Sequence, residues 1–119
     1  MIRVGQRIGG KGITLRSYKG RRTWYPLPLY PNSTVRLVTV TPADKSVPLD
    51  RLDIQLQTPD NVREVVHWYV KELSAYGDVK QRTFKYSTLV ELGESYKRIL
   101  VVLIGRKGYT EVWVGVGLR

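Results

Sequence analysis

The sequence predicts an α+β fold, a single antiparallel sheet of five or more strands with one helix, about residues 59–76, packed on one face. Leu52-Asp53-Ile54-Gln55-Leu56-Gln57 alternates strictly between apolar and polar residues, the period of a strand with one buried and one wet face. Val62, Val65, Val66, Tyr69, Leu73 and Tyr76 then recur at helical spacing, within roughly 100° of one another on the wheel. Further β-rich runs lie on both sides of this unit. A strand and a helix that each carry one apolar side must bury those sides against each other. At 119 residues the chain is one domain, long enough for a single core without staples.

Residues 1–24 form a basic, glycine-rich segment ahead of an α+β domain at 25–119. Five of the eleven glycines fall there, with apolar residues thinly spaced at Ile2, Val4, Ile8, Ile13 and Leu15. Two readings stay open. Ile2-Arg3-Val4 and Ile13 to Arg16 are two short strands turning through Gly9 to Gly12, or the segment is an arm that orders on a partner. Trp24 to Pro31 alternates three prolines with large apolar side chains, which excludes a helix or a central strand. It should run extended and lay Trp24, Leu27 and Tyr30 over the core. A proline-rich ligand for an aromatic groove is the sharper alternative.

Asn32-Ser33 signals a turn, and Thr34–Thr41 is β-branched at most positions, hence a strand. A loop through Pro42 and Pro48 returns the chain to the Leu52 strand, its expected antiparallel neighbour. Thr58 is placed to cap the helix, with Pro59 in its first turn and Asp60 at the positive end of the dipole. Gly77 can close it in a left-handed conformation. Val79 to Tyr86 mixes Lys80, Arg82 and Lys85 with Val79, Phe84 and Tyr86, as an edge strand does. Leu89 to Leu92 can extend the sheet before a turn at Gly93-Glu94-Ser95. Ile99–Ile104 is apolar on both faces, suiting a central strand. A turn at Gly105–Gly108 leads into Tyr109–Val116, with Val112, Val114 and Val116 on one side and Glu111 and Trp113 on the other.

Charge is the compositional outlier. The net charge is +10; residues 1–22 carry seven basic residues and no acid, whereas 23–119 net only +3. Such segregation says more about partners than a high pI does. Arg21-Arg22 followed by Thr23-Trp24-Tyr25 sets two guanidinium groups beside two rings, the combination that single-stranded nucleic acid requires. Arg7, Lys11, Arg16, Lys19, Arg21 and Arg22 are the candidates to neutralise phosphates, and Trp24 and Tyr25 the candidates to stack. Seven phosphate contacts would give a salt slope of roughly −5 to −6. Lys80, Arg82, Arg106 and Lys107 add a second patch if their strands adjoin.

Other chemistry is thin. There is no cysteine, so disulfides and thiolate metal sites are excluded. His67, the one histidine, falls opposite the helical stripe between Arg63 and Lys71, which suits a solvated side chain and not a metal ligand. No phosphate-loop or dinucleotide fingerprint occurs, and no metal or cofactor is expected. Asp50 and Asp53 project to opposite sides of a strand, or the first lies in the loop. Trp68 and Trp113 are read as closing the edges of the core. No apolar run reaches the ~18 residues of a membrane span. The N-terminus lacks a signal-peptide pattern, which favours a cytoplasmic location.

Leu27-Pro28-Leu29-Tyr30-Pro31-Asn32-Ser33, then Thr58-Pro59-Asp60, then Val66-His67-Trp68-Tyr69, Leu73 and Gly77 together resemble a group of uncharacterised small bacterial α+β domains. These have a Pro-x-Tyr-Pro lead-in, a strand, and a helix with an aromatic-Tyr pair before a glycine. The resemblance covers about residues 27–78. It implies the fold, carries no catalytic residues, and goes with export or lipid anchoring in that group. Asp78 replaces their aromatic residue after the glycine, and the basic N-terminus replaces their export signal. The sequence thus points to a non-enzymatic binding module whose N-terminal segment engages a polyanion, nucleic acid before others. The alternative is an assembly module docking on a partner subunit through the N-terminal and proline-rich segments. An enzyme comes third, as a metal-dependent nuclease drawing on Asp53, Glu91 or Glu111.

Overall fold

The computed structural model describes residues 2–119. In chain order the elements are β1 (Arg7–Ile8), β2 (Ile13–Tyr18), β3 (Arg21–Leu29), β4 (Ser33–Thr41), β5 (Arg51–Thr58), α1 (Val62–Ser74), β6 (Val79–Thr83), β7 (Thr88–Leu92), a 3-10 turn (Ser95–Lys97), β8 (Ile99–Arg106) and β9 (Tyr109–Gly117). Seven strands form one antiparallel sheet in the order β1-β4-β5-β9-β8-β7-β6, and β2 and β3 form a separate hairpin. The fold is α+β with an antiparallel sheet and one helix on it.

Alternation along the strands gives the sheet a buried face. Leu52, Ile54 and Leu56 of β5, Val112, Val114 and Val116 of β9, and Ile99, Val101 and Leu103 of β8 are all fully buried there. α1 lies against β6, β7 and β8, while β3 lies against β9. Val65, Val66, Tyr69 and Leu73 of the helix join Leu27, Leu29 and Tyr30 in the same cluster. Each such side chain contributes about 1.5–3 kcal/mol by leaving water. Tyr30 and Tyr69 seal the seam between helix and hairpin: their rings stack 6.4 Å apart, and the Tyr30 N–H donates to the Tyr69 hydroxyl at 3.2 Å. Trp68 meets both rings edge-on.

The helix is shorter than the expected 59–76 because its cap is Asn61 and not Thr58. Thr58 stays in β5 opposite Thr110, while Asn61 Oδ1 accepts from the Glu64 N–H at 2.9 Å and its Nδ2 donates to Glu64 Oε1 at 3.1 Å. The first of these bonds satisfies one of the free N–H groups of the first helical turn, and the second holds the two side chains together. At the other end the chain leaves through Ala75 in a right-handed conformation, so Gly77 is not the cap.

In the N-terminal segment Ile13 to Arg16 lies in a strand as expected, but its partner is different. Ile2-Arg3-Val4 is not a strand. Arg7–Ile8 pairs with β4 at the sheet edge, and Ile13–Tyr18 pairs forward with Arg21–Leu29. Lys19 and Gly20 both have positive φ, 50° and 79°, as a two-residue type I′ hairpin turn demands. Ile2 and Ile8 are buried in the core and tie the segment down. β3 runs without a break across positions 24 and 25, and it tolerates Pro26 and Pro28 because it is not a central strand.

Among the described residues, the opposite face of the large sheet carries no helix. Across it one row reads Leu37, Gln55, Trp113, Val102, Leu89. Carboxylates on this face have cationic neighbours: Glu91 pairs with Arg82 at 3.0 Å and Arg98 at 3.6 Å, and Glu111 with Arg106 at 3.3 Å. Burial raises the Asp53 carboxyl above its usual range, partly offset by Arg51.

Candidate polyanion-binding site

The β2–β3 hairpin is paired at Leu15 with Leu27 and again at Ser17 with Arg22. Between those pairs β2 supplies Arg16 alone, whereas β3 supplies the four residues Thr23 to Pro26. Extra residues on one strand force it to bend away from its partner. The displaced stretch is caught by the C-terminus: Thr23 bridges to Leu118, and the Arg119 N–H donates to the Arg22 carbonyl at 2.9 Å. The Leu118 N–H also donates to the Asp50 carbonyl at 2.8 Å, so Arg119 emerges from a chain fixed on both sides.

The result is an open notch of about 490 Å³ lined by Arg16, Ser17, Arg22, Thr23, Trp24, Pro26 and Arg119. Three guanidinium groups line it and, among the described residues, no Asp or Glu side chain does. Guanidinium forks match phosphate oxygens in pairs, which compact ammonium groups do not. Of the lining residues, Thr23 and Trp24 have side-chain atoms, Oγ1 and Nε1, buried without a hydrogen-bond partner among the described residues, a condition that native interiors rarely leave standing. The 3-10 turn adds a fourth cation, with Lys97 Nζ 4.2 Å from the Trp24 ring centroid. Arg119 reaches the same ring at 5.0 Å. Gly117 permits this packing, since a Cβ there would lie 2.7 Å from the Tyr96 carbonyl and 3.3 Å from the Trp24 ring.

Of the sequence candidates, Arg16, Arg22 and Trp24 come together here, and the others do not. Lys19 sits at the tip of the hairpin turn, its Nζ 5.4 Å from the Tyr18 ring. Arg21 is occupied by Asp50, Nη1 to Oδ2 at 2.5 Å. Asp50 also accepts the Ala43 N–H, and that bond first, then Arg21, holds its carboxyl below the usual range. Arg7 lies on β1, donating to Asn32 Oδ1 at 3.2 Å, and Lys11 is exposed ahead of β2. Tyr25 turns away from the notch: a Cβ on Gly93 would lie 2.7 Å from its ring, so the ring rests directly on that backbone. In the second basic patch, Arg82 and Arg106 are paired with Glu91 and Glu111.

Arg119, Lys97 and Thr23 were not legible as partners of the site. They arrive from the chain's far end, from a 3-10 turn, and from a bulge that no local pattern announces. His67 is exposed on α1. Among the described residues no group of three His, Cys, Asp or Glu side chains is placed to hold a metal, and no helix is long and apolar enough to cross a membrane. Comparison with protein-family models, curated proteins and solved structures finds no match for this chain.

Proposed function

We propose that this chain is a non-enzymatic binding module that engages a polyanion, nucleic acid before others, through the notch between β2 and β3. One observation carries the reading: Arg16, Arg22 and Arg119, from three separate stretches, line one concavity with no Asp or Glu side chain among the described residues, whereas neighbouring Arg21 is neutralised by Asp50. A phosphate in the notch would meet paired guanidinium donors, and Lys97 extends the positive field beside it. The remaining free cations of residues 1–22 add attraction without geometry.

The test is an anisotropy titration of labelled single- and double-stranded oligonucleotides over a range of salt concentrations, native chain against Arg16→Ala/Arg22→Ala. Removing residues 1–22 would strip β1, β2 and buried Ile2 and Ile8, so point substitutions are the cleaner tool. Tight, salt-sensitive binding that weakens roughly 10-fold or more in the double variant supports the proposal, because charge-assisted bonds contribute about 1.5–3 kcal/mol each. Absence of binding by the native chain at low salt would sink it.

A second reading, a protein-interaction or assembly module, draws on a different feature. Leu27, Pro28, Leu29 and Tyr30 are buried, so most of the proline-rich stretch is spent on the core. The uncovered sheet face with half-buried Trp113 and exposed Leu37 is the surface a protein partner would use. Binding through that face would persist at salt concentrations that release a polyanion.

A further inference from the structure

We infer, building on the polyanion reading above, that the two hairpin tips at the far end of the sheet form a base-stacking site for single-stranded nucleic acid. The β6–β7 turn is closed by the Phe84 N–H donating to the Ser87 carbonyl at 2.8 Å, which leaves Lys85 and Tyr86 at the tip. Phe84 is 56% and Tyr86 77% exposed, the highest values for any aromatic side chain among the described residues. Rings this exposed contribute nothing to the core. Because β7 pairs with β8, the tip stands beside the end of β8, and an open hollow of about 420 Å³ is lined there by Phe84, Tyr86 and Arg106 together with Val62, Leu103 and Ile104.

The surroundings select the ligand. From 79 to 90 the chain has no acid. Lys85 Nζ stands 5.3 Å from the Tyr86 ring, and Lys85 and Lys107 have no ion-pair partner among the described residues. Apolar Val62, Leu103 and Ile104 share the hollow with the cations Lys85 and Arg106, and rings on an apolar surface with cations beside them suit flat bases strung on phosphates. The rings of the notch cannot take this part, since Lys97 and Arg119 lie against Trp24 and Tyr25 rests on Gly93. β8 runs eight residues from the notch end to the tips, a span of roughly 26 Å. Notch and tips therefore hold different nucleotides of one strand.

The experiment compares three probes of equal length: labelled oligo-dT, the corresponding abasic deoxyribose-phosphate oligomer, and inorganic polyphosphate. Each is titrated against the native chain, Phe84→Ala/Tyr86→Ala and Arg16→Ala/Arg22→Ala. Both tip side chains lie at the surface, and circular dichroism checks that the variants fold. The expected result is that the tip variant loses roughly 10- to 100-fold in affinity for oligo-dT and keeps its affinity for the other two probes. The notch variant should lose affinity for all three. Equal affinity of the native chain for oligo-dT and the abasic oligomer overturns the stacking site while leaving the notch standing. So does a tip variant that binds oligo-dT like the native chain, or that loses all three probes equally. In a parallel titration with vesicles rich in anionic lipid, a tip variant that loses that binding alone makes the tips a membrane contact, and the inference fails. If the notch variant keeps polyphosphate binding, the notch reading fails, and the oligo-dT and abasic pair still decides the tips.

Discussion

The two ends of the long sheet solve the problem of aromatic side chains in opposite ways. At the notch end, Trp24 is overlaid by Lys97 and Arg119, and Tyr25 rests on Gly93. At the tip end, Phe84 and Tyr86 stand in solvent. Both ends are basic, but one offers guanidinium groups around covered rings and the other offers open rings with lysines beside them. Adjacency of cation and aromatic residue in a sequence therefore does not say whether the ring is free to stack. What decides is whether a second element reaches over it, as the 3-10 turn and the C-terminus do for Trp24.

The largest effect that sharpens this contrast is on stability. Gly93 and Gly108 share a φ of 85°, but a Cβ on Gly93 would strike the Tyr25 ring, while at Gly108 it would meet open space. Gly108→Ala should cost about 1 kcal/mol from backbone strain alone. Gly93→Ala should cost about 2–3 kcal/mol, by strain plus the collision. Thermal melts of the two variants, read side by side, check the difference, and equal losses would mean that Tyr25 is not fixed at the notch end.

Next in size is binding. Asp50→Asn should release Arg21 toward the ligand, tightening polyanion binding a few-fold at low salt and steepening the salt slope by roughly 0.7 for one added phosphate contact. An unchanged slope would show that Arg21 does not reach the ligand. Smaller again, Lys97→Ala should remove a cation–π contact of about 0.5–1 kcal/mol and bare one face of Trp24. Acrylamide quenching of the Trp24 fluorescence, in a background of Trp68→Phe/Trp113→Phe, should then rise.

The smallest expected effect lies on the open sheet face. Burial raises the folded-state pKa of Asp53, so its ionisation opposes folding. The stability that the neutral carboxyl contributes is present below its ordinary value of 3.8 and lost as pH rises through the raised one. Asp53→Asn should therefore melt slightly higher than the native chain at pH 7, and the difference should vanish below about pH 4. Arg51, whose own pKa is lowered first by burial, offsets part of the effect. A variant less stable than the native chain at pH 7 would show that the Asp53–Arg51 attraction outweighs desolvation.

Much of the sheet was legible because its strands obey a period of two. Leu52 to Gln57 and Tyr109 to Val116 fall where the alternation puts them, Ile99 to Ile104 is a strand as its unbroken apolar run suggests, and the helical stripe finds its face. The N-terminal hairpin was not legible. Arg7–Ile8 is too short to show a period, and β2 has two possible partners, of which the type I′ turn at Lys19-Gly20 selects the later one. The helix start was mistaken by three residues because Thr58 and Asn61 are both good caps, and only pairing of Thr58 with Thr110 decides between them. At the notch, Arg16, Arg22 and Trp24 could be named from one basic stretch. Arg119 could not, because it reaches the site through a single bridge between Thr23 and Leu118.

The most direct measurement of the central claim uses the three tryptophans, which sit in three different places. Trp24 is at the notch, Trp68 at the helix–hairpin seam, and Trp113 on the uncovered sheet face. Their indole N–H signals, assigned in a ¹H–¹⁵N correlation spectrum by single Trp→Phe variants, are followed as a short oligonucleotide is added at low salt. The expected result is a saturable shift of the Trp24 signal, with Trp68 and Trp113 unmoved. A shift confined to Trp113 would place the ligand on the open face of the sheet and contradict the notch as the binding site.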